Sequence, residues 1–223
     1  MKTKTTELNQ ILGHYKILKP DVQLILDDEK YFSLNGDISC NRKYYTTDRS
    51  TVPPEVKFKT KMKFEPKLLV WMAVSQKGIS SIYVHRSTIS IKQETYLHHC
   101  IRKRLLPFTN RHHKNDNILF WPDLASSHYS KQVQEFLQAN QIKFVQRQEN
   151  PPNVFQARPI ETIWSLLEQK VYEDAWEAKN LKQLSRRIIL KAKQLDQDLV
   201  TSMILGVRKQ LLKIYKKGVY SVC

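Results

Sequence analysis

The stretch Val22-Gln23-Leu24-Ile25-Leu26-Asp27-Asp28-Glu29-Lys30-Tyr31-Phe32 decides the fold. It is apolar and short, then abruptly acidic, which suits a buried strand better than a helix. Further along, Lys57-Phe58-Lys59-Thr60-Lys61-Met62-Lys63-Phe64 alternates at the two-residue strand period, so a strand there would carry a lysine stripe on one face. The runs Leu68 to Ser75 and Ile79 to His85, separated by Gln76-Lys77-Gly78, read as a hairpin. Ser90 with Gln93 resembles a capping box, and Ile91, Leu97, Ile101 and Leu105 recur at helical spacing until Pro107. Asn117 to Trp121 is a short apolar strand ended by Pro122 and Asp123, since proline cannot donate to a central ladder.

A second helix is expected from about Ser130 to Ala139, with Val133, Phe136 and Leu137 on one side, and a fifth strand from Ile142 to Val145. The loop Asn150-Pro151-Pro152-Asn153 then breaks the chain. Pro159 fits a first helical turn, and Ile160, Ile163, Trp164, Leu167 and Val171 form the apolar stripe that follows it. From Asn180 to Lys217 the chain reads as helical, broken once near Gly206, with ten Lys or Arg against Asp196 and Asp198. Three strands, helix, strand, helix, strand, helix is an α/β order, that of a ribonuclease H-like mixed five-stranded sheet flanked by helices. The expected division is an N-terminal extension over 1–20, the α/β domain over 21–178 and a basic helical C-terminal region over 179–223.

Composition narrows the function classes. At 223 residues, 41% apolar and 26% charged, the chain is long enough for one sizeable core. The longest unbroken apolar run, Leu68 to Val74, is far shorter than the roughly 20 residues needed to cross a bilayer, which disfavours a membrane span. Cys40, Cys100 and Cys223 give neither a disulfide framework nor a paired zinc pattern. Adjacent His98, His99 and Cys100 point about 100° apart on a helix and cannot share an ion without distant partners. Five scattered glycines exclude the two glycine-rich phosphate loops. The excess of 37 Lys and Arg over 21 acids, +16, is the footprint of a polyanion-binding protein, and nucleic acid is the expected partner.

Three carboxylates stand where such a fold would bring them together: Asp28 at the end of one strand, Asp123 just past another, and Glu161 in the first turn of a helix. Hard divalent ions prefer such oxygen ligands, and two of them about 3.5 to 4 Å apart suit phosphodiester cleavage. Asp27 points to the opposite side of the strand, so one of the two neighbours is a solvated strand-end acid, and alternation alone does not choose between them. Glu168 lies seven residues after Glu161 on nearly the same face, as a reserve ligand or a surface acid.

Leu26-Asp27-Asp28-Glu29-Lys30, Trp121-Pro122-Asp123-Leu124-Ala125-Ser126-Ser127-His128, Asn150-Pro151-Pro152-Asn153 and Gln156-Ala157-Arg158-Pro159-Ile160-Glu161-Thr162-Ile163-Trp164 resemble the three acid blocks of Tc/mariner superfamily DNA transposases. The 37 residues between Asp123 and Glu161 resemble the branch with this spacing and a glutamate as third acid. The resemblance spans about Val22 to Arg187 and selects Asp28 over Asp27. It implies that Asp28, Asp123 and Glu161 are catalytic and hold two Mg²⁺ or Mn²⁺ ions. It also implies hydrolysis of DNA at transposon ends and strand transfer into target DNA, usually at TA, by a homodimer in a synaptic complex in the nucleus.

Leu124 stands where many relatives have asparagine, and Phe155 where proline is common. Relatives carry an upstream helix-turn-helix, so this chain is expected to lack its recognition module. The alternatives are an inactive transposon-derived DNA-binding protein or another ribonuclease H-like nuclease. The expected DNA-contacting residues are Lys57, Lys59, Lys61 and Lys63 on the lysine stripe and Arg186, Arg187, Lys209, Lys213 and Lys216 in the C-terminal region.

Overall fold

A computed structural model describes residues 9–13, 16–36, 45–54, 65–85, 90–151, 154 and 157–217. The lysine stripe of Lys57, Lys59, Lys61 and Lys63 lies outside them. Strand β1 (Val22–Ser33) is the middle of the sheet. It runs antiparallel to β2 (Lys67–Ser75), from Ile25 opposite Ser75 to Ser33 opposite Lys67. On its other side it runs parallel to a strand at Asn117–Trp121, with Val22 opposite Asn117 and Leu26 opposite Trp121.

The expected hairpin partner of β2 is two short strands, β3 (Gly78–Ile79) and β4 (Tyr83–His85), both antiparallel to β2. They are separate because the Ser80 hydroxyl accepts the Ala73 N–H at 2.9 Å, putting a side chain in place of a ladder bond. With Asn117–Trp121 as β5, the strand order is β3-β2-β1-β5, with β4 also on β2. The strand expected at Ile142 to Val145 is a single parallel bridge between Phe120 and Phe144. There the Phe120 N–H donates to Lys143 O and the Val145 N–H to Phe120 O.

The apolar run in β2 is buried on both faces. Leu68, Val70, Met72 and Val74 enter one core with Leu24 and Leu26, whereas Leu69, Trp71 and Ala73 enter the other with Ile25 and Phe120. Alternation in β1 therefore sends Asp28 toward the first layer and Asp27 toward the second. The second layer is covered by α1, a continuous helical rod over 93–112 whose central segment Tyr96–Leu105 is π-helical, and by α2 (Lys131–Ala139).

Helix α1 departs from expectation at both ends. Lys92 is its N-cap, with no side-chain cap bond, so Ser90 forms no capping box. It also continues through Pro107 to His112, because the wide π-helical turns before the proline, where the Leu106 N–H reaches back to Ile101 O, accommodate the ring. The first layer is covered by α3 (Ile160–Val171), α4 (Leu181–Ala192) and α5 (Gln197–Lys217). The expected break near Gly206 falls earlier, because Asp196 Oδ1 accepts the N–H groups of Asp198 and Leu199 at 2.9 and 3.1 Å and starts α5 there. Leu184, Ile188, Val200, Ile204, Val207, Leu211 and Ile214 enter the same core as the sheet, so these basic helices are integral to the fold.

Just past β1, Gly36 has a φ of +66°, and a methyl group there would lie 2.8 Å from the Tyr172 ring. That ring stacks on Phe32, 6.4 Å between centroids, and its hydroxyl donates to Ser33 O. Gly36→Ala adds left-handed strain and a clash, and is expected to lower stability by about 2 kcal/mol in urea unfolding. Unchanged stability would show that Tyr172 does not fix this turn.

Candidate active site

The parallel pairing of β1 and β5 ends at Leu26 opposite Trp121, and Asp28 and Asp123 each lie two residues beyond it. Asp28 lies inside β1 opposite Met72 rather than at the strand's end as expected, because β1 stays paired with β2 to Ser33. Glu161 stands in the first turn of α3, which packs on β1. One turn further along that helix, Trp164 sends its indole N–H to Asp28 Oδ2 at 3.0 Å. This bond fastens the helix carrying Glu161 to the strand carrying Asp28. Trp71, Trp121 and Trp164 are all in the core, as their apolar settings suggest.

Burial pushes the Asp28 carboxyl up to about 7, a backbone hydrogen bond from Glu29 opposes this, and the Glu161 and Asp123 carboxylates raise it further. Asp28 thus senses both other acids. Asp123 is half-buried and behaves oppositely. Burial would raise it, but His128, the Ala125 N–H and Arg158 outweigh that and hold it below the ordinary carboxylate value. His128 Nδ1 lies 2.6 Å from Asp123 Oδ1 as a close ion-pair contact, while its Nε2 meets Glu29 Oε1 at 3.3 Å.

The His128 ring also stacks on Tyr96 at 3.8 Å between centroids. Burial alone would discharge this imidazole, yet Asp123 and Glu29 push it up to about 10, so it is an imidazolium at neutral pH. His128, which closes the Asp123 block of the sequence, is buried against two carboxylates.

Asp27 is not the solvated acid that alternation left open. It is fully buried on the opposite face, where Oδ2 accepts the Trp71 indole N–H at 2.9 Å and the Tyr96 hydroxyl at 2.6 Å. Burial raises its pKa, against the opposing charge of His128. Glu168 pairs with Lys30 at 3.2 Å. Asn150, read from sequence only as part of a chain break, is a buried hub: its Oδ1 accepts the Trp121 indole N–H at 2.8 Å, and its amide donates to Pro122 O and Tyr129 Oη. No local pattern marks it, because its partners are 21 to 29 residues away.

Glu161 is exposed and borders a cavity of about 400 Å³ between α3 and α5, lined by Arg158, Thr162, Ser202, Gly206 and Gln210. Among the described residues, no three His, Cys, Asp or Glu side chains are assembled in metal-holding geometry. The donor set nevertheless suits Mg²⁺ or Mn²⁺. It offers carboxylate oxygens, and Asp28 carries a charge cost that a cation would relieve. Of the basic residues expected to meet DNA, Arg186, Lys209, Lys213 and Lys216 are exposed. Arg187 is instead half-buried, its Nε donating to Val171 O at 2.6 Å and its guanidinium lying over Trp176 and beside Glu173.

Sheet order, helices on both faces and acids at the shared end of adjacent parallel strands define the ribonuclease H-like fold. Solved structures make the likeness particular. The chain is similar to the Mos1 transposase paired-end complex with left transposon end, with a TM-score of 0.75 at 14% identity over 99% of this chain and 62% of that one. It is also similar to the Mos1 transposase catalytic domain with raltegravir and Mn, with a TM-score of 0.67 at 12% identity over 96% and 93%. For the catalytic domain of Mos1 mariner transposase the TM-score is 0.63 at 14% identity over 99% and 92%. The chain therefore spans 62% of the transposase chain in the paired-end complex and most of the catalytic-domain chains. No protein-family model matches, and no curated protein sequence matches.

The Asp28 shift gives a pH test. The folded state holds this proton more tightly than the unfolded chain, so its stabilising contribution is largest below about pH 4. It declines as the pH rises to 7, above which the full penalty stands. Asp28→Asn keeps an acceptor for Trp164 and removes the penalty. It is expected to raise the metal-free melting temperature at pH 8 and leave it nearly unchanged at pH 4, and equal effects at both would reject the buried-acid assignment.

Proposed function

We propose that the chain is the catalytic domain of a Tc/mariner-type DNA transposase, which hydrolyses phosphodiesters at transposon ends and transfers the freed 3′-OH into target DNA, usually at TA. The carrying observation is that the three acid blocks of the resemblance meet at one edge of a sheet with this fold, with Asp28 electrostatically coupled to both Asp123 and Glu161. The solved neighbours include Mos1 catalytic-domain structures with Mn and with Mg and complexes with transposon ends, which supports the same reading. As a partner in such a complex the chain would act in the nucleus as a homodimer.

Asp28, Asp123 and Glu161 would hold the two divalent ions, which when bound supply activation of the attacking hydroxyl and stabilisation of the leaving oxygen. The chain's own residues supply the frame. Trp164 orients Asp28, His128 holds Asp123, and the exposed Glu161 is free to turn toward both. His128 also competes with metal for Asp123, which gives weight to the second reading, a catalytically silent DNA-binding protein on this fold.

Nicking of supercoiled DNA in Mn²⁺ separates these readings. Asp28→Asn, Asp123→Asn and Glu161→Gln should each reduce nicking at least about 1,000-fold, whereas Glu168→Gln should retain it within about threefold. No nicking by the wild type would favour the silent protein, and nicking confined to an RNA:DNA hybrid would favour a ribonuclease.

Phosphate contacts are tested by salt dependence. Charge reversal at Lys209, Lys213 or Lys216 should weaken binding to all duplexes alike and flatten the log-log salt slope by about 0.9 for each lost phosphate contact. Where phosphate contacts alone carry the binding of these 223 residues, affinity should lie in the non-specific range of about 10⁻⁴ to 10⁻⁶ M at physiological salt. A more than 100-fold preference for a terminal repeat over a scrambled duplex would show that this domain reads sequence itself.

A further inference from the structure

Arg158 stands two residues before α3, and its guanidinium reaches across the end of the sheet. Nη2 donates to the carbonyl of Asp27 at 3.0 Å, and Nη1 donates to the carbonyl of Pro122 at 3.2 Å. The residues that follow those two carbonyls are Asp28 and Asp123. The carbonyl of Arg158 itself accepts the N–H of Glu161 at 3.3 Å. One residue thus touches the backbone of all three acid-bearing segments. The guanidinium also lies over the Trp121 ring, 5.4 Å from its centroid, and the Pro122 carbonyl takes a second bond from Asn150 at 2.9 Å.

The ladder explains why such a link is needed. Parallel pairing of β1 with β5 stops at Leu26 opposite Trp121, and the next residue of β5 is Pro122, which has no N–H to donate. Beyond that point β1 continues along β2 to Ser33, and the segment after β5 has no further ladder bond to hold it beside β1 against the mutual repulsion of their acids. We propose that Arg158 is a positioning residue that replaces the missing rung and thereby sets the spacing of Asp28, Asp123 and Glu161. This rests on the metal-site reading above, although the rung itself is a property of the metal-free protein.

A lysine could not substitute. The guanidinium is a rigid planar fork that presents two donors to two separate carbonyls, whereas an ammonium presents all its donors from a single nitrogen. The same charge without the fork is therefore the informative variant.

Arg158→Lys and Arg158→Met in the full chain are compared with wild type by two measurements. The first is hydrogen exchange without metal, read on peptides spanning 24–31 and 119–127 with the β2 peptide 67–75 as internal reference. Exchange at the two strand ends should accelerate at least about tenfold in both variants while β2 is unchanged, and unchanged exchange at the strand ends overturns the rung whatever the metal does. Acceleration in all three peptides alike marks a general loss of stability and also overturns it.

The second measurement is Mn²⁺ binding, read from the loss of the free-ion electron paramagnetic resonance signal. Arg158→Lys should weaken Mn²⁺ at least about tenfold despite the retained charge. Wild-type affinity in a variant whose strand ends have loosened overturns the positioning role. If wild type itself binds no Mn²⁺, the metal-site reading fails, and spacing by Arg158 then fails with it even where exchange confirms the rung.

Discussion

Two neighbouring strands that run parallel must finish on the same edge of the sheet, and that constraint underlies the chemistry of this fold. In the antiparallel pair of β1 and β2, Asp28 lies opposite Met72 and faces an apolar wall. The parallel pair of β1 and β5 brings two acids to one place, because β5 ends at Trp121 beside Leu26 while β1 runs on in the same direction, so that Asp123 and Asp28 each lie two residues past the last pair. A parallel pair in turn needs a crossover, here the hairpin partners of β1 and the long helix α1. Helix α3 closes the third side through Trp164, whose ring is in the core while its N–H reaches Asp28.

The two consecutive aspartates show how one sheet gives the same side chain two fates. Asp27 turns into the α1 layer, where Tyr96 and Trp71 supply donors and burial raises its pKa against them. Asp28 turns into the α3 layer, where one indole N–H is the donor and the other pressure is negative charge from Glu161 and Asp123. His128 stacks on Tyr96 and contacts Asp123, and it is the link between the two faces. A buried acid held by a fixed set of donors is a structural element. An acid whose proton is held chiefly by burial and by other acids releases it readily to a cation.

Periodicity carried most of the fold. Alternation in β1 and the continuous apolar run of β2 are both consequences of burial, one-sided or two-sided, and so they are visible in order of residues alone. What was not visible depended on bonds between distant residues. Ser80 splits a strand by taking a backbone N–H, Asp196 moves a helix start that Gly206 suggested, and π-helical turns carry α1 past Pro107. Asp123 and Glu161 were legible because each sits at an element boundary, whereas Asp28 was marked by the abrupt change from apolar to acidic residues and lies inside β1. Their supports were not, since Arg158 and Asn150 act across gaps of 21 to 131 residues, and His128, though five residues from Asp123, is set by its distant partners Glu29 and Tyr96. Arg187 failed as a simple surface cation for the same reason: its partners Val171, Glu173 and Trp176 are brought to it by the packing of α4 on α3.

The basic C-terminal helices gain meaning from where α5 lies rather than from their charge alone. Ser202, Gly206 and Gln210 recur every four residues and line the cavity beside Glu161, and Gly206 has open space where a side chain would begin. Lys209 and Lys213 fall on the adjoining helical positions and are exposed, while Val207, Leu211 and Ile214 hold the opposite stripe in the core. The rotation of α5 is therefore fixed by its apolar stripe, and that rotation puts the cations on helical positions next to those that line the acid-bordered cavity. On the function proposed above, a phosphate backbone gripped by Lys209 and Lys213 runs toward Glu161, and the same helix that neutralises the strand also supplies the wall of the groove it enters.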